Sequence, residues 1–151
     1  MKMISKLEDW GDRHHPKLVD VIRIVLGAFL LFKGYLFFHN MPFLRDLIID
    51  AKLVDLSTDT ITALLYYVTY AHMVGGTLIL FGLVTRLASL IQIPIVVAAV
   101  FVVNIPNKAV NSELWLSVVV LTLLLLFVII GSGPISLDKL LTNDEKNTSL
   151  R

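Results

Sequence analysis

Residues 61–83 read ITALLYYVTYAHMVGGTLILFGL, a run in which His72 is the one ionisable side chain besides tyrosine. A helix needs about 20 mostly apolar residues to cross roughly 30 Å of hydrocarbon, and this run supplies them. A buried strand would end after about four to eight residues, and a strand of a membrane barrel would alternate apolar with polar side chains. Neither pattern is present. Ser57-Thr58-Asp59 stands just before the run, with short oxygen-bearing side chains suited to cap the first free backbone N–H groups.

Three further runs read the same way, at 19–38, 87–103 and 113–130. The first is interrupted by Arg23 and Lys33, and the third contains Pro94, which removes a backbone donor and is expected to kink the helix. The fourth is the most uniformly apolar and stops at Gly131-Ser132-Gly133-Pro134. The fold expected is all-α: a single membrane domain over 1–151 built as a four-helix bundle, with 1–18 and 139–151 as tails.

Composition agrees with lipid as the main solvent. Of 151 residues, 56% are hydrophobic and 17% charged, where a soluble domain carries about a quarter charged residues. The net charge of +1 leaves no basic field to hold nucleic acid. The chain has no cysteine, which excludes disulfides, thiolate metal sites and iron–sulfur ligation by its own side chains. Nor is there a haem or flavin motif. The opening residues MKMISKLEDWGDRHHPK are too polar and acidic for a secretory signal. Met3, Ile4, Leu7 and Trp10 fall at roughly helical spacing, which fits a short surface helix with Trp10 at headgroup level; a frayed tail fits as well.

Between the first two runs, Phe43, Leu44, Leu47, Ile48, Ala51 and Val54 share one helical face opposite Arg45, Asp46, Asp50, Lys52 and Asp55. That segment is expected to lie in the interface, being too polar to cross. Thr85-Arg86 is read as the whole turn between the second and third runs, and Asn104 to Ser112 as a loop. Four crossings put both termini and Arg86 on one side, with Lys2, Lys6, Arg13, Lys17, Arg86, Lys139, Lys146 and Arg151; Arg45, Lys52 and Lys108 fall on the other. The imbalance places both termini in the cytoplasm of a chain embedded in the cell (inner) membrane.

Charged groups near a bilayer centre cost at least about 2.5 to 3.5 kcal/mol on insertion scales, so each needs a reason. Arg23 sits about one turn in from the boundary and can snorkel to the headgroups. Lys33 lies roughly 6 Å to the outer side of its run's midpoint, counting 1.5 Å per residue. It can snorkel outward, or meet Glu113 at the start of the fourth run. His72 falls at mid-run, where it needs a hydrogen-bond partner. No second histidine or carboxylate stands four residues away, so a packing residue, or a proton or quinone contact, is preferred over a metal or haem ligand. His14 and His15 are adjacent and point apart on a helix. Gly27 and Gly34, and Gly75 and Gly82, recur at seven-residue spacing and permit close backbone approach, while Gln92, Val96, Ala99 and Val103 share a face that carries one amide.

With Arg23 in RIVLGAFLLFKG, His72 to Arg86 as HMVGGTLILFGLVTR, then QIPIVVAAVFVVN and GSGPISLDKLL, the chain resembles the DoxX family of small four-span membrane proteins from Arg23 to Leu141. The resemblance implies the fold and a link to DoxD-type subunits of thiosulfate:quinone oxidoreductase and to membrane oxidoreductase complexes of oxidative-stress defence. Where many relatives carry a glutamate ahead of the glycine pair, this chain has His72. Arg86 and Asp138 match the family pattern, and with Arg23 they are expected to form a structural charge cluster at the cytoplasmic rim.

Two functions follow as expectations. The first is a quinone-linked, redox-associated membrane subunit, with His72 and Lys33 hydrogen-bonding the carrier and Tyr66, Tyr67 or Tyr70 as lesser contacts; its electrons come through a partner protein. The second is a non-enzymatic scaffold or assembly factor that holds a membrane partner or a second copy of itself. A transporter is disfavoured, because no inverted repeat with broken paired helices is evident.

Overall fold

In a computed structural model of the chain, residues 17–50, 54–104, 111–131 and 136 are described. They are helical with short connections, and no strand occurs among them. Helix α1 spans Lys17–His39, α2 Met41–Asp50, α3 Thr58–Phe81, α4 Thr85–Ala98 and α5 Asn111–Ile130. A π-helical segment, Ala99–Asn104, continues α4. The expected surface helix before residue 17, the loop around Lys108, the histidine pair at 14–15 and the tail beyond 139 lie outside the described residues.

Two helices are long and apolar enough to cross a membrane, α1 over Leu18–His39 and α3 over Thr58–Phe81; the apolar stretches Thr85–Phe101 and Leu114–Ile130 are shorter. Only 28% of each long apolar window is buried within the chain, which does not fit the core helix of a soluble protein. Large apolar side chains such as Val25, Phe32, Phe101, Trp115 and Ile129 face outward, while Asp20, Arg23, Ser89 and Gln92 are enclosed. Such an arrangement suits an apolar solvent.

The main contacts run α1 on α3 and α4 on α5, joined by α3 on α4. Leu26 and Leu30 of α1, Ile79 of α3, Ala88 and Val96 of α4, and Val120, Leu124 and Phe127 of α5 form one buried apolar cluster. Between α1 and α3 the backbones nearly touch: a Cβ added at Gly76 would stand 2.5 Å from the Leu31 nitrogen, and one at Gly27 would stand 2.8 Å from the Gly76 carbonyl oxygen. The close approach needs glycine from both helices.

At its start, α3 is capped by Ser57, whose Oγ accepts from the Thr60 N–H at 3.3 Å. It ends at Gly82, in left-handed conformation with φ of 70°, where the Leu83 N–H donates to the Leu78 carbonyl at 2.8 Å. This wrapped end makes the turn Gly82 to Val84, and Thr85 is already the first residue of α4. The expected Thr85-Arg86 turn is therefore displaced by three residues. Val84 takes φ of 45°, a conformation unusual for a β-branched residue.

Pro94 sits inside α4, which continues past it, and the hydrogen bonding widens to π-helical at Ala99. The second amphipathic segment forms α2, with Met41 buried, Leu44, Leu47 and Ile48 half-buried and Phe43 exposed. Of the remaining expected face, Ala51 lies outside the described residues and Val54 is not helical.

Candidate functional site

His72 is 7% exposed, on the face of α3 turned toward α1. Its Nδ1 lies 3.1 Å from the Val68 carbonyl oxygen, which can only accept, so Nδ1 carries the proton and Nε2 presents a lone pair. The ring packs on Phe37 with centroids 5.7 Å apart.

Lys33 is half-buried, and its ammonium stands 5.9 Å from the centre of the Phe29 ring, one turn back toward the helix start. Helical side chains lean toward the N-terminus, so the lysine reaches into the span rather than outward. The side chain of Glu113 lies outside those described, and so does the expected pair.

Tyr70 belongs elsewhere. It is 54% exposed on the opposite face of α3 from His72, with its ring stacked near that of Tyr66 at 6.4 Å. Tyr67 is exposed on the same side. Lys33 and Phe37 fall on successive turns of one α1 face, His72 packs on Phe37, and the three tyrosines point outward from α3.

Gln92 of α4 is fully buried, and its Nε2 donates to the Ala71 carbonyl at 2.6 Å. That carbonyl can only accept, which fixes the amide's orientation and leaves Oε1 as an acceptor. Gly75 makes the room, since a Cβ there would collide with the Gln92 amide. Ser89 and Thr85 continue the same α4 face toward the Gly82 turn, one and two turns before Gln92, both fully enclosed. Thr69, one turn before His72 on α3, is enclosed too.

At the foot of this face is an ion pair. Arg23 Nη1 donates to Asp20 Oδ1 at 3.1 Å, and both side chains are 2% exposed. The guanidinium lies against Gly82, where an added Cβ would be 2.9 Å from Cζ and 2.8 Å from the Ser136 Cβ. Arg23 therefore does not snorkel to the headgroups; Asp20, one turn earlier, holds it turned inward.

Arg86 takes a separate task. Its Nη2 donates to the Ile129 and Ile130 carbonyls at 3.4 and 3.5 Å, at the C-terminal end of α5 where unpaired carbonyls concentrate negative charge. Gly131, with φ of 88°, leaves the guanidinium its space. Asp138 lies outside the described residues. Of the expected cluster, Arg23 is at the Gly82 turn and Arg86 at the end of α5.

Sequence reasoning singled out His72, Lys33, Arg23, Arg86 and Gln92 and passed over the enclosed Asp20, Thr69, Thr85 and Ser89. The i, i+3 spacing of Asp20 and Arg23 and the i, i+4, i+7 spacing of Thr85, Ser89 and Gln92 carried the signal. Among the described residues, no group of three or more histidine or acidic side chains is placed to hold a metal.

No curated protein and no solved structure matches the chain. A family model, DoxX, matches residues 18–105, which hold α1 to α4 with Asp20, Arg23, Lys33, His72, Arg86 and Gln92. The family and the apolar helices point to a membrane protein, and by this match over more than half of its length the chain belongs to the DoxX family.

Proposed function

We propose that the chain is a four-span subunit of a membrane redox system that holds the headgroup of a quinone, or a similar lipid-soluble carrier, at His72. Four crossings are supported by length. The 14 residues of α4 with the 6 of its π-helical continuation, and the 20 of α5, each reach about 30 Å at 1.5 Å per residue. On this topology α2 lies in the interface, and both termini share the cytoplasmic side with Gly82.

The observation that carries the quinone reading is His72 itself. An imidazole buried at mid-helix, with Nδ1–H held by Val68 and a lone pair at Nε2, suits a hydroxyl of a reduced carrier as donor; the Lys33 ammonium suits the oxidised carrier's carbonyl oxygen. The chain's part is to bind and orient, and the electrons come from a partner redox protein.

Purification in mild detergent followed by organic extraction tests it. Quinone should co-purify with the natural chain and fall by about tenfold in His72→Ala, the loss of a hydrogen bond worth roughly 1.4 kcal/mol. Absence of quinone from the natural chain, or its full retention in His72→Ala, would refute the reading.

A second reading, a scaffold for a protein partner, has its own observation. Tyr66, Tyr67 and Tyr70 face outward from α3, and a tyrosine hydroxyl within hydrocarbon is best placed against a partner's polar group. A stoichiometric membrane protein that co-purifies and is lost on changing Tyr70 to phenylalanine would favour it.

A further inference from the structure

Among the described helices, partly exposed and fully enclosed hydroxyls behave differently. Thr62, Thr77 and Thr122 each donate to the carbonyl four residues earlier, at 2.8, 2.7 and 2.8 Å. This is the usual way for a hydroxyl on an apolar helix to satisfy itself. Thr69, Thr85 and Ser89, all enclosed, do not. Their oxygens, with Gln92 Oε1 and Asp20 Oδ2, are buried and have no hydrogen-bond partner among the described residues.

A buried polar group without a partner costs roughly 1–3 kcal/mol, and five in one small bundle is a cost that hydration removes. They are also aligned. Thr85, Ser89 and Gln92 follow one face of α4 over about 10 Å, starting beside the Gly82 turn where the Asp20–Arg23 pair sits, and Gln92 is bonded to the carbonyl of the residue just before His72.

We infer that this face is a hydrated proton path, entered at Asp20 and ending at His72. The chemistry of the side chains favours water over a metal cation. Asp20 is neutralised by Arg23, so no net negative charge remains to hold a cation, whereas hydroxyls both donate and accept as water does. A proton taken up at Asp20 Oδ2 moves by exchange: each water or hydroxyl accepts one proton at its oxygen and releases its own. Gln92 cannot relay a proton, but its fixed Oε1 orients a water's O–H.

At the far end His72 Nε2 holds the acceptor lone pair. Toward the outer side Ile61 and Met41 are buried and apolar, so the row of polar side chains runs toward Asp20. The path stands on these side chains; its use rests on the quinone reading. A quinone that takes two electrons from a redox partner protein takes two protons on its oxygens and leaves as the hydroquinone, and the path supplies those protons.

The absence of cysteine makes a direct test available. Ser89→Cys and Thr85→Cys each introduce one thiol whose S–H stretch stands alone in the infrared spectrum, and its conversion to S–D after transfer into deuterated buffer reads proton access. Leu124→Cys, at an equally enclosed apolar position, is the comparison. Exchange in Ser89→Cys and Thr85→Cys should be faster than in Leu124→Cys by on the order of tenfold or more. Adding Asp20→Leu/Arg23→Met, which removes the buried pair as a unit, to Ser89→Cys should slow it again. Thiols at 89 and 85 as slow as at 124 would overturn the path, and exchange at 89 unaffected by Asp20→Leu/Arg23→Met would overturn its entry point. No quinone enters the measurement, so its result is independent of whether a quinone binds.

Discussion

Replacing Arg23 with methionine would strip the Asp20 carboxylate of its cation while leaving it enclosed at the Gly82 turn. Removal of one partner from a buried pair costs about 3–5 kcal/mol, more than the attraction of a well-formed pair contributes, because the desolvated charge stays behind. The single variant Arg23→Met is therefore expected to accumulate poorly and melt well below the natural chain in detergent. The double variant Asp20→Leu/Arg23→Met should recover most of that melting temperature, since two apolar side chains of similar bulk suit the site. A double variant as unstable as the single one would mean that Arg23 is held chiefly by its packing against Gly82. The same pair shows where single residues resist reading. Arg23 near the end of an apolar run invites a snorkelling account, and only packing turns it inward. A threonine in such a run is equally ambiguous: Thr77 satisfies itself on the carbonyl of Met73, whereas Thr69 is enclosed without doing so, and composition does not distinguish them.

At the scale of helices the chain was far more legible. Length and apolarity gave the four apolar helices to within two or three residues at most ends, because such a run has no alternative to a helix in an apolar solvent. The Ser57 cap was legible for the same reason of unpaired backbone groups. The π-helical end of α4 was not, since nothing in AVFVVN distinguishes it from an α-helix and its register depends on packing against α5. The glycines were half legible: their spacing announced close approach, but not that Gly27 and Gly76 face each other while Gly75 serves Gln92. That assignment makes Gly76→Ala a sharp test. In an open helix the change gains about 0.5–1 kcal/mol from helix propensity. Here the added methyl meets the α1 backbone at Leu31, and overpacking of that kind costs about 1–3 kcal/mol. Gly76→Ala should lower the melting temperature in detergent; a rise would mean that α1 and α3 do not approach so closely.

For the whole molecule, α4 and α5 are expected to cross the membrane with α1 and α3. The alternative is physical: two spans, with α4 and α5 lying against the surface. It requires their apolar outer faces, with Leu87, Leu90, Phe101, Val119 and Ile129, to be half-solvated, and at about 25 cal/mol per Å² of exposed apolar surface the burial of five such side chains in lipid outweighs it. The chain's lack of cysteine again allows the test. Single cysteines at Asp46 on α2, Val84 in the Gly82 turn and Lys108 between the last two helices would be labelled with a membrane-impermeant maleimide on intact cells. Four crossings put Asp46→Cys and Lys108→Cys outside, labelled at once, and Val84→Cys inside, labelled only after permeabilisation. Two crossings would put Lys108→Cys with Val84→Cys. Labelling of Lys108→Cys only after permeabilisation would remove the bilayer from around α4, and with it the reason for its hydroxyls to be hydrated from one side.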